Sequence, residues 1–228
     1  MTASNSTQPA RTHHPMPFVR VEVCVLGLGE SGLQVLLGQR EAEPFAGQWA
    51  LPGGVLRIDL DEDLDAAARR VMQERLSLTL PFLRQLVAVG SKTRDRDRAP
   101  WALSVVYRAL VWVNEVQPLA GKRMSGLAWR PVDQATTDQA LAFDHRDLIA
   151  MAAQQTRDEV DALQLPAGFV PDAFTLGELQ AMCEGILGRG LDKSSFRRKL
   201  HDRRLVRPVE GALKGGANRP AQVFELCV

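Results

Sequence analysis

The sequence predicts an α+β fold made of two unlike parts. Three observations carry that reading. From Phe18 to Leu28 the chain alternates and then runs apolar, and Leu33 to Gln39 repeats the pattern after Gly29-Glu30-Ser31-Gly32, as a β-hairpin does. An acid-led helical stretch follows. Beyond Pro166-Ala167-Gly168 the strands give way to two short amphipathic helices and a glycine-tipped hairpin. With 228 residues, 45% hydrophobic and 24% charged, the chain is long enough for a real core, which excludes a wholly disordered, collagen-like or disulfide-built protein.

The elements follow in order. Met1 to Met16 is rich in Ser, Thr, Asn, Pro and His and lacks an apolar stretch, so a disordered arm is expected, not a secretory signal. After the hairpin, Pro44 to Trp49 is a loop that ends in Leu51-Pro52-Gly53-Gly54. The acids of Asp59 to Asp65 favour the positive end of the helix that continues to Leu76. Leu86–Val89 and Ala102–Val113 read as strands around the charged loop Lys92 to Arg98, and Arg146–Leu163 as a linker or dimerisation helix. No apolar run approaches the roughly 18 residues of a membrane span. Cys24, Cys183 and Cys227 have no metal spacing; they read as small buried hydrophobes in a reducing cytoplasm.

The last third is the more explicit. Thr175-Leu176-Gly177-Glu178 is a capping box, with Phe174 and Leu179 at the hydrophobic-staple positions. Gly188-Arg189-Gly190 breaks the first helix and Asp192 caps a second, whose Phe196 and Leu200 face inward at i, i+4. A hairpin with the tip Lys214 to Arg219 closes the chain. Helix, tight turn, cationic helix and hairpin make a winged helix-turn-helix. Between Arg189 and Arg219 ten Lys/Arg face three Asp/Glu, while the rest of the chain holds 18 against 24. That asymmetry points to a polyanion as partner. Lys193, Ser194, Arg197, Arg198, Lys199, Arg203 and Arg204 on the second helix, with Lys214 and Arg219 on the wing, are the candidate double-stranded DNA contacts. A protein-interaction module with a basic face is the alternative for this part.

In the first part, Leu51-Pro52-Gly53-Gly54, an acidic loop, Glu62, seven residues and Arg70 resemble the Nudix box, G-x5-E-x7-R-E-U-x-E-E-x-G-U, in which U is bulky and apolar. The loop is two residues too long. After Arg70 the pattern decays: Val71 stands at one glutamate position, Glu74-Arg75 replaces the acidic pair, and Ser77 replaces the glycine. Magnesium favours several oxygen ligands, and positions 71 and 75, which share a helix face, supply an apolar and a cationic group. Hydrolysis is therefore expected to be lost or vestigial, with no catalytic or metal-ligating residue. Glu62 and Glu74 are left as surface acids, Glu74 paired to Arg70, and Arg75 can bring the positive charge that magnesium would.

A Nudix-like domain followed by a winged helix resembles the Nudix-related transcriptional regulators of NAD metabolism. Phe45 to Gly54, Arg94-Asp95-Arg96, Leu141 to His145, and Phe174 to Leu179 through Leu191 to Leu200 carry the resemblance. It implies a Nudix-like α/β/α sandwich with a mixed sheet over residues 17–163 and a winged helix over 169–228. It also implies a homodimeric cytoplasmic repressor of NAD synthesis or salvage genes on palindromic operators. The implied effector is ADP-ribose or a related pyridine nucleotide, with no cofactor required and no membrane partner. Arg40, Gly53, Gly54, Arg75, Arg94, Arg96 and His145 are the candidate ligand contacts, and Arg146–Leu163 the candidate transmitter between the domains. Trp49 and Trp101 are expected in the core, with stacking on a base as the alternative. The alternative is an active ADP-ribose or nucleoside-diphosphate pyrophosphatase with a regulatory C-terminal domain.

Overall fold

The computed structural model describes residues 16–80, 82–94, 101–166, 168–215 and 220–227. In chain order the first part contains β1 (Phe18–Gly29), β2 (Gly32–Arg40), β3 (Trp49–Ala50), β4 (Gly53–Val55), α1 (Leu64–Leu76), β5 (Arg84–Ser91), β6 (Ala102–Trp112), β7 (Met124–Pro131), α2 (Val132–Ala135) and α3 (His145–Asp161). The second contains β8 (Phe174–Thr175), α4 (Leu176–Leu187), α5 (Lys193–Asp202), β9 (Val206–Lys214) and β10 (Ala221–Leu226). No helix among the described residues is long and apolar enough to cross a membrane.

β1 organises the sheet. It forms the expected hairpin with β2, Leu26 opposite Val35 and Gly29 opposite Gly32, and Gly32 takes the turn at a φ of 90° that L side chains rarely adopt. Its other edge runs parallel to β6 from Phe18–Ala102 to Leu28–Trp112. β5 flanks β6, β7 and β3 flank β2, and β4 pairs with the start of β1, all antiparallel. The mixed sheet is covered on both faces, so β1 is buried almost throughout, Arg20 and Glu22 included. Val21, Val23 and Val25 point to α1 with its Ala67, Ala68, Val71 and Met72. Cys24 and Leu26 point to α3 with its Leu148, Ile149, Ala152 and Ala153. The sandwich is α/β/α, as the sequence implied.

Several expectations need correction. Sequence periodicity missed β7, whose half-buried residues do not alternate cleanly. α3 is not a bare linker. It covers one face of the sheet, and buried Arg108 of β6 donates to Thr156 (2.9 Å) and pairs with Glu159 (2.5 Å). Cys24 and Cys183 are buried, and burial pushes each thiol up to about 12; Cys227, expected inside, is exposed. Trp101, also expected in the core, is 38% exposed. The arm expected at residues 1–16 lies outside the described residues except for Met16, which is exposed.

The second part packs on the first through a shared apolar core. Leu28 of β1 and Val160 and Leu163 around the end of α3 meet Phe174, Leu179, Met182, Cys183 and Ile186. Leu28 approaches α4 so closely that a Cβ on Gly185 would lie 2.8 Å from it. Trp112 stacks on Phe169 at 4.8 Å and donates to its carbonyl (3.0 Å). Arg157 of α3 donates to Ile186 O on α4 (3.3 Å) and pairs with Asp133 on α2 (3.0 Å). Arg189 bonds Asp161, and Arg203 donates to Ala162 O (2.7 Å).

Candidate functional site: a cationic cleft and a cationic helix

α1 sets the cleft. Asp63 caps it by accepting from Ala66 N (2.7 Å), and Ser77 ends it in the left-handed region. Arg70 clamps the preceding loop, donating to both oxygens of Asp61 (2.6 and 2.8 Å) and to Val55 O (3.0 Å). Hydrogen bonds from Arg70 hold the Asp61 carboxyl below its ordinary range. The acid that answers Arg70 is therefore Asp61, and Glu62, which keeps the family spacing, is exposed. Glu74 does pair with Arg70 (3.4 Å), as expected, and also with Lys122 (3.2 Å). The loop Leu119–Lys122 caps the C-terminus of α1: Leu119, Gly121 and Lys122 donate to the carbonyls of Leu76, Arg75 and Glu74 at 2.8–2.9 Å. A Cβ on Gly121 would lie 2.2 Å from Glu74 O, so only glycine fits there.

The cleft is lined by Gly53, Gly54 and Val55 of β4 and by Arg20, Arg40, Arg75 and Arg123, with Glu43 as its acid. Arg40, Gly53, Gly54 and Arg75 were expected here. Arg20 and Arg123 were not, because β1 and the approach to β7 converge on the cleft only in the fold. Arg75 donates to Gly53 O (2.9 Å) and Lys122 O (2.6 Å). Burial, and secondarily Arg123, push its pKa below the ordinary value, but a guanidinium keeps its proton. Arg40 donates to Pro44 O (2.8 Å) and stacks over the Phe143 ring at 5.0 Å, with Arg20 at 5.2 Å from the same ring. The Phe143–Phe45 pair was not singled out from sequence as a contact; its rings meet edge-on at 4.7 Å.

Arg94 and His145, also expected as ligand contacts, are directed elsewhere. His145 is fully buried; its Nδ1 accepts from Leu51 N (2.9 Å) and its Nε2 faces Glu22 at 3.4 Å. Arg94 donates to Glu22 (3.0 Å) and Ser104 (3.1 Å) and bonds Asp144. Burial pushes the Glu22 carboxyl up, but His145, Arg20 and Arg94 outweigh it and bring it down to about 2. This ionic cluster supports the Leu51–Gly54 floor from behind. Arg96 lies outside the described residues.

Val71 is buried, and its Cγ2 would lie 2.9 Å from a Cβ on Gly54. Among the described residues no group of three or more His, Cys, Asp or Glu is arranged to hold a metal ion. Val71 and Arg75 bring no oxygen ligand to two positions at which an intact Nudix box would present carboxylates to magnesium.

On α5, Asp192 caps the helix by accepting from Ser195 N (2.8 Å), and Phe196 and Leu200 are buried. Ser194 and Arg198 lie opposite that stripe and Lys193, Arg197 and Lys199 flank it. All five are exposed, and among the described residues none of the four cations forms an ion pair. Arg204 is exposed just beyond the helix. Arg203 and Lys214, expected to face DNA, are engaged otherwise: Arg203 with Ala162 O, and Lys214 with the capping-box acid Glu178 (2.6 Å). Arg219 lies outside the described residues.

The NUDIX domain family matches residues 18–152, and the NrtR DNA-binding winged helix domain matches residues 166–226. The chain is 32% identical over 221 residues to the ADPR responsive transcriptional repressor NtrR of Acinetobacter baylyi, covering 97% of this chain and 86% of that one. It is similar to Shewanella oneidensis NrtR complexed with a 27mer DNA, at 29% identity and a TM-score of 0.70, with 92% and 93% of the two chains covered. The NUDIX domain of that protein complexed with ADP ribose matches at 29% identity and a TM-score of 0.56, over 66% of this chain and 94% of that one. By the extent of these matches, the chain belongs to the NUDIX family, and it carries the NrtR winged helix at its C-terminal end.

Proposed function

We propose that this chain is an ADP-ribose-responsive transcriptional repressor. The observation that carries it is the pairing, in one chain, of a concave cleft lined by four arginines with a convex helix bearing four cations that form no ion pair among the described residues. A small phosphorylated ligand suits the first and a DNA groove the second. The named functions of the relatives support the same assignment. ADP-ribose or a related pyridine nucleotide occupies the cleft and requires no cofactor. The operators are palindromic sites at NAD synthesis or salvage genes, bound by a cytoplasmic homodimer whose recognition helices are spaced about one DNA turn, ~34–36 Å, or a multiple of it.

The domain is not a hydrolase in this reading. Val71 and Arg75 take two of the carboxylate positions, and the remaining Glu74 is held by Arg70 and Lys122. Control of DNA binding needs the effector to favour an arrangement of α5 that mismatches the operator. The apolar contact of Leu28 with α4 and the bond from Arg157 to Ile186 O join the two parts where such a change would pass.

The test is fluorescence anisotropy of a labelled duplex from upstream of an NAD-salvage gene, with a scrambled duplex as control. Preference for the native duplex, relieved by ADP-ribose, is the expected result. No preference, together with magnesium-dependent cleavage of ADP-ribose, would replace this reading with the pyrophosphatase.

A further inference from the structure

We infer that Arg75 is a built-in replacement for the divalent cation: it draws the two walls of the cleft together and lets a diphosphate bind without metal. The inference rests on the proposed reading of the cleft as an effector site. The magnesium that the box would hold does not fit the residues present, and the structure shows what stands in its place.

Position 75 lies on the last turn of α1, on the face that looks into the cleft. Its guanidinium bridges two separate walls. Nε bonds the carbonyl of Gly53, on the glycine floor, and Nη1 bonds the carbonyl of Lys122, on the loop that leads into β7. The loop's own amides are already anchored to the carbonyls of Glu74, Arg75 and Leu76. The side chain thus closes a ring: helix end, loop, guanidinium, floor. Nη2 has no bond among those described and lies 3.9 Å from where a Cβ on Gly54 would be, on the cleft side.

A divalent ion in such a cleft would do two things: hold the acidic helix face to the floor and neutralise phosphate oxygens. Arg75 does the first through its two carbonyl bonds. It is placed to do the second with the charge it keeps, beside Arg20, Arg40 and Arg123. Val71 completes the exchange. It fills the space over Gly54 that a metal-binding carboxylate would need. The two departures from the box therefore act together, one closing the cation site and the other supplying the cation.

The experiment is isothermal titration of the full chain with ADP-ribose and, in parallel, with inorganic pyrophosphate. Each is run in EDTA and in magnesium, for the unsubstituted chain, Arg75→Gln and Arg75→Glu. The unsubstituted chain should bind ADP-ribose with the same affinity, within about twofold, in both buffers. Arg75→Gln, which keeps a donor but no charge, should weaken binding in EDTA at least tenfold while thermal unfolding shows it folded. Arg75→Glu should weaken it further, with magnesium restoring part of the loss. A tenfold fall in the affinity of the unsubstituted chain on chelation would overturn the inference, as would undiminished binding by a folded Arg75→Gln in EDTA. If pyrophosphate alone binds in EDTA and depends on Arg75, the ADP-ribose assignment fails and the role of Arg75 stands. If neither ligand binds, the role falls.

Discussion

α1 and α5 are built alike and used in opposite ways. Each is a short amphipathic helix capped by an aspartate, Asp63 or Asp192, and each carries several cations. Of the arginines of α1, Arg69 and Arg70 are spent on the protein itself, Arg69 on Leu80 O and Arg70 on Asp61 and Val55 O, while Arg75 bonds Gly53 O and Lys122 O and keeps Nη2 on the cleft side. Those of α5 that point away from the Phe196–Leu200 stripe have no ion partner among the described residues. The contrast teaches that a count of cations does not locate a polyanion site. What matters is which donors remain after the chain's own carbonyls and carboxylates are served.

Substitutions can break that contrast. The largest effect is expected at Arg70→Ala, which leaves the nearly inaccessible Asp61 carboxylate (1% exposed) without its ion partner and with only the Arg57 amide as donor. A loss of about 3 kcal/mol in urea unfolding is expected, as for a broken buried pair. Arg198→Ala on α5 should instead leave stability within about 0.5 kcal/mol. It should weaken operator binding roughly tenfold and relax specificity, because Arg198 lies on the face opposite the core.

Acid sensitivity sharpens the same point. Folding lowers the Glu22 carboxyl from its ordinary 4.5 to about 2, so its stabilisation is complete above about pH 4.5 and is lost as pH falls toward 2. Thermal unfolding of Glu22→Gln should be less steep in pH over that window than the unsubstituted chain, and an identical slope would remove Glu22 from the account. Lys199→Ala should weaken all duplexes alike and reduce the salt slope of binding by about one. The smallest effect is expected at Lys214→Ala. Its exposed pair with Glu178 contributes at most about 1 kcal/mol, and DNA affinity should change little because the amine is already engaged.

The local features of this fold were legible in the sequence and the convergent ones were not. The β1–β2 hairpin, the acid-led α1, the Thr175–Glu178 capping box and the Asp192 cap depend on residues within a few positions of each other, where turn and capping chemistry decides. β7 escaped because Gly126 and Pro131 interrupt its pattern and burial there is only partial. The Arg70–Asp61 pair was not read because motif spacing does not say which acid of the loop turns inward. Arg20 and Arg123 reach the cleft, and Phe143 reaches its Arg20 and Arg40, from strands and loops far apart in sequence. His145 and Arg94 bond Leu51 N and Glu22, contacts that motif resemblance does not specify because it carries no direction.

The most direct test of two cation sets serving two ligands is one double variant, Arg197→Ala/Arg198→Ala, assayed for both. Operator binding should fall by at least tenfold while the affinity for ADP-ribose stays within about twofold of the unsubstituted chain. Equal losses of both, or retention of full operator affinity, would contradict that division of the cations.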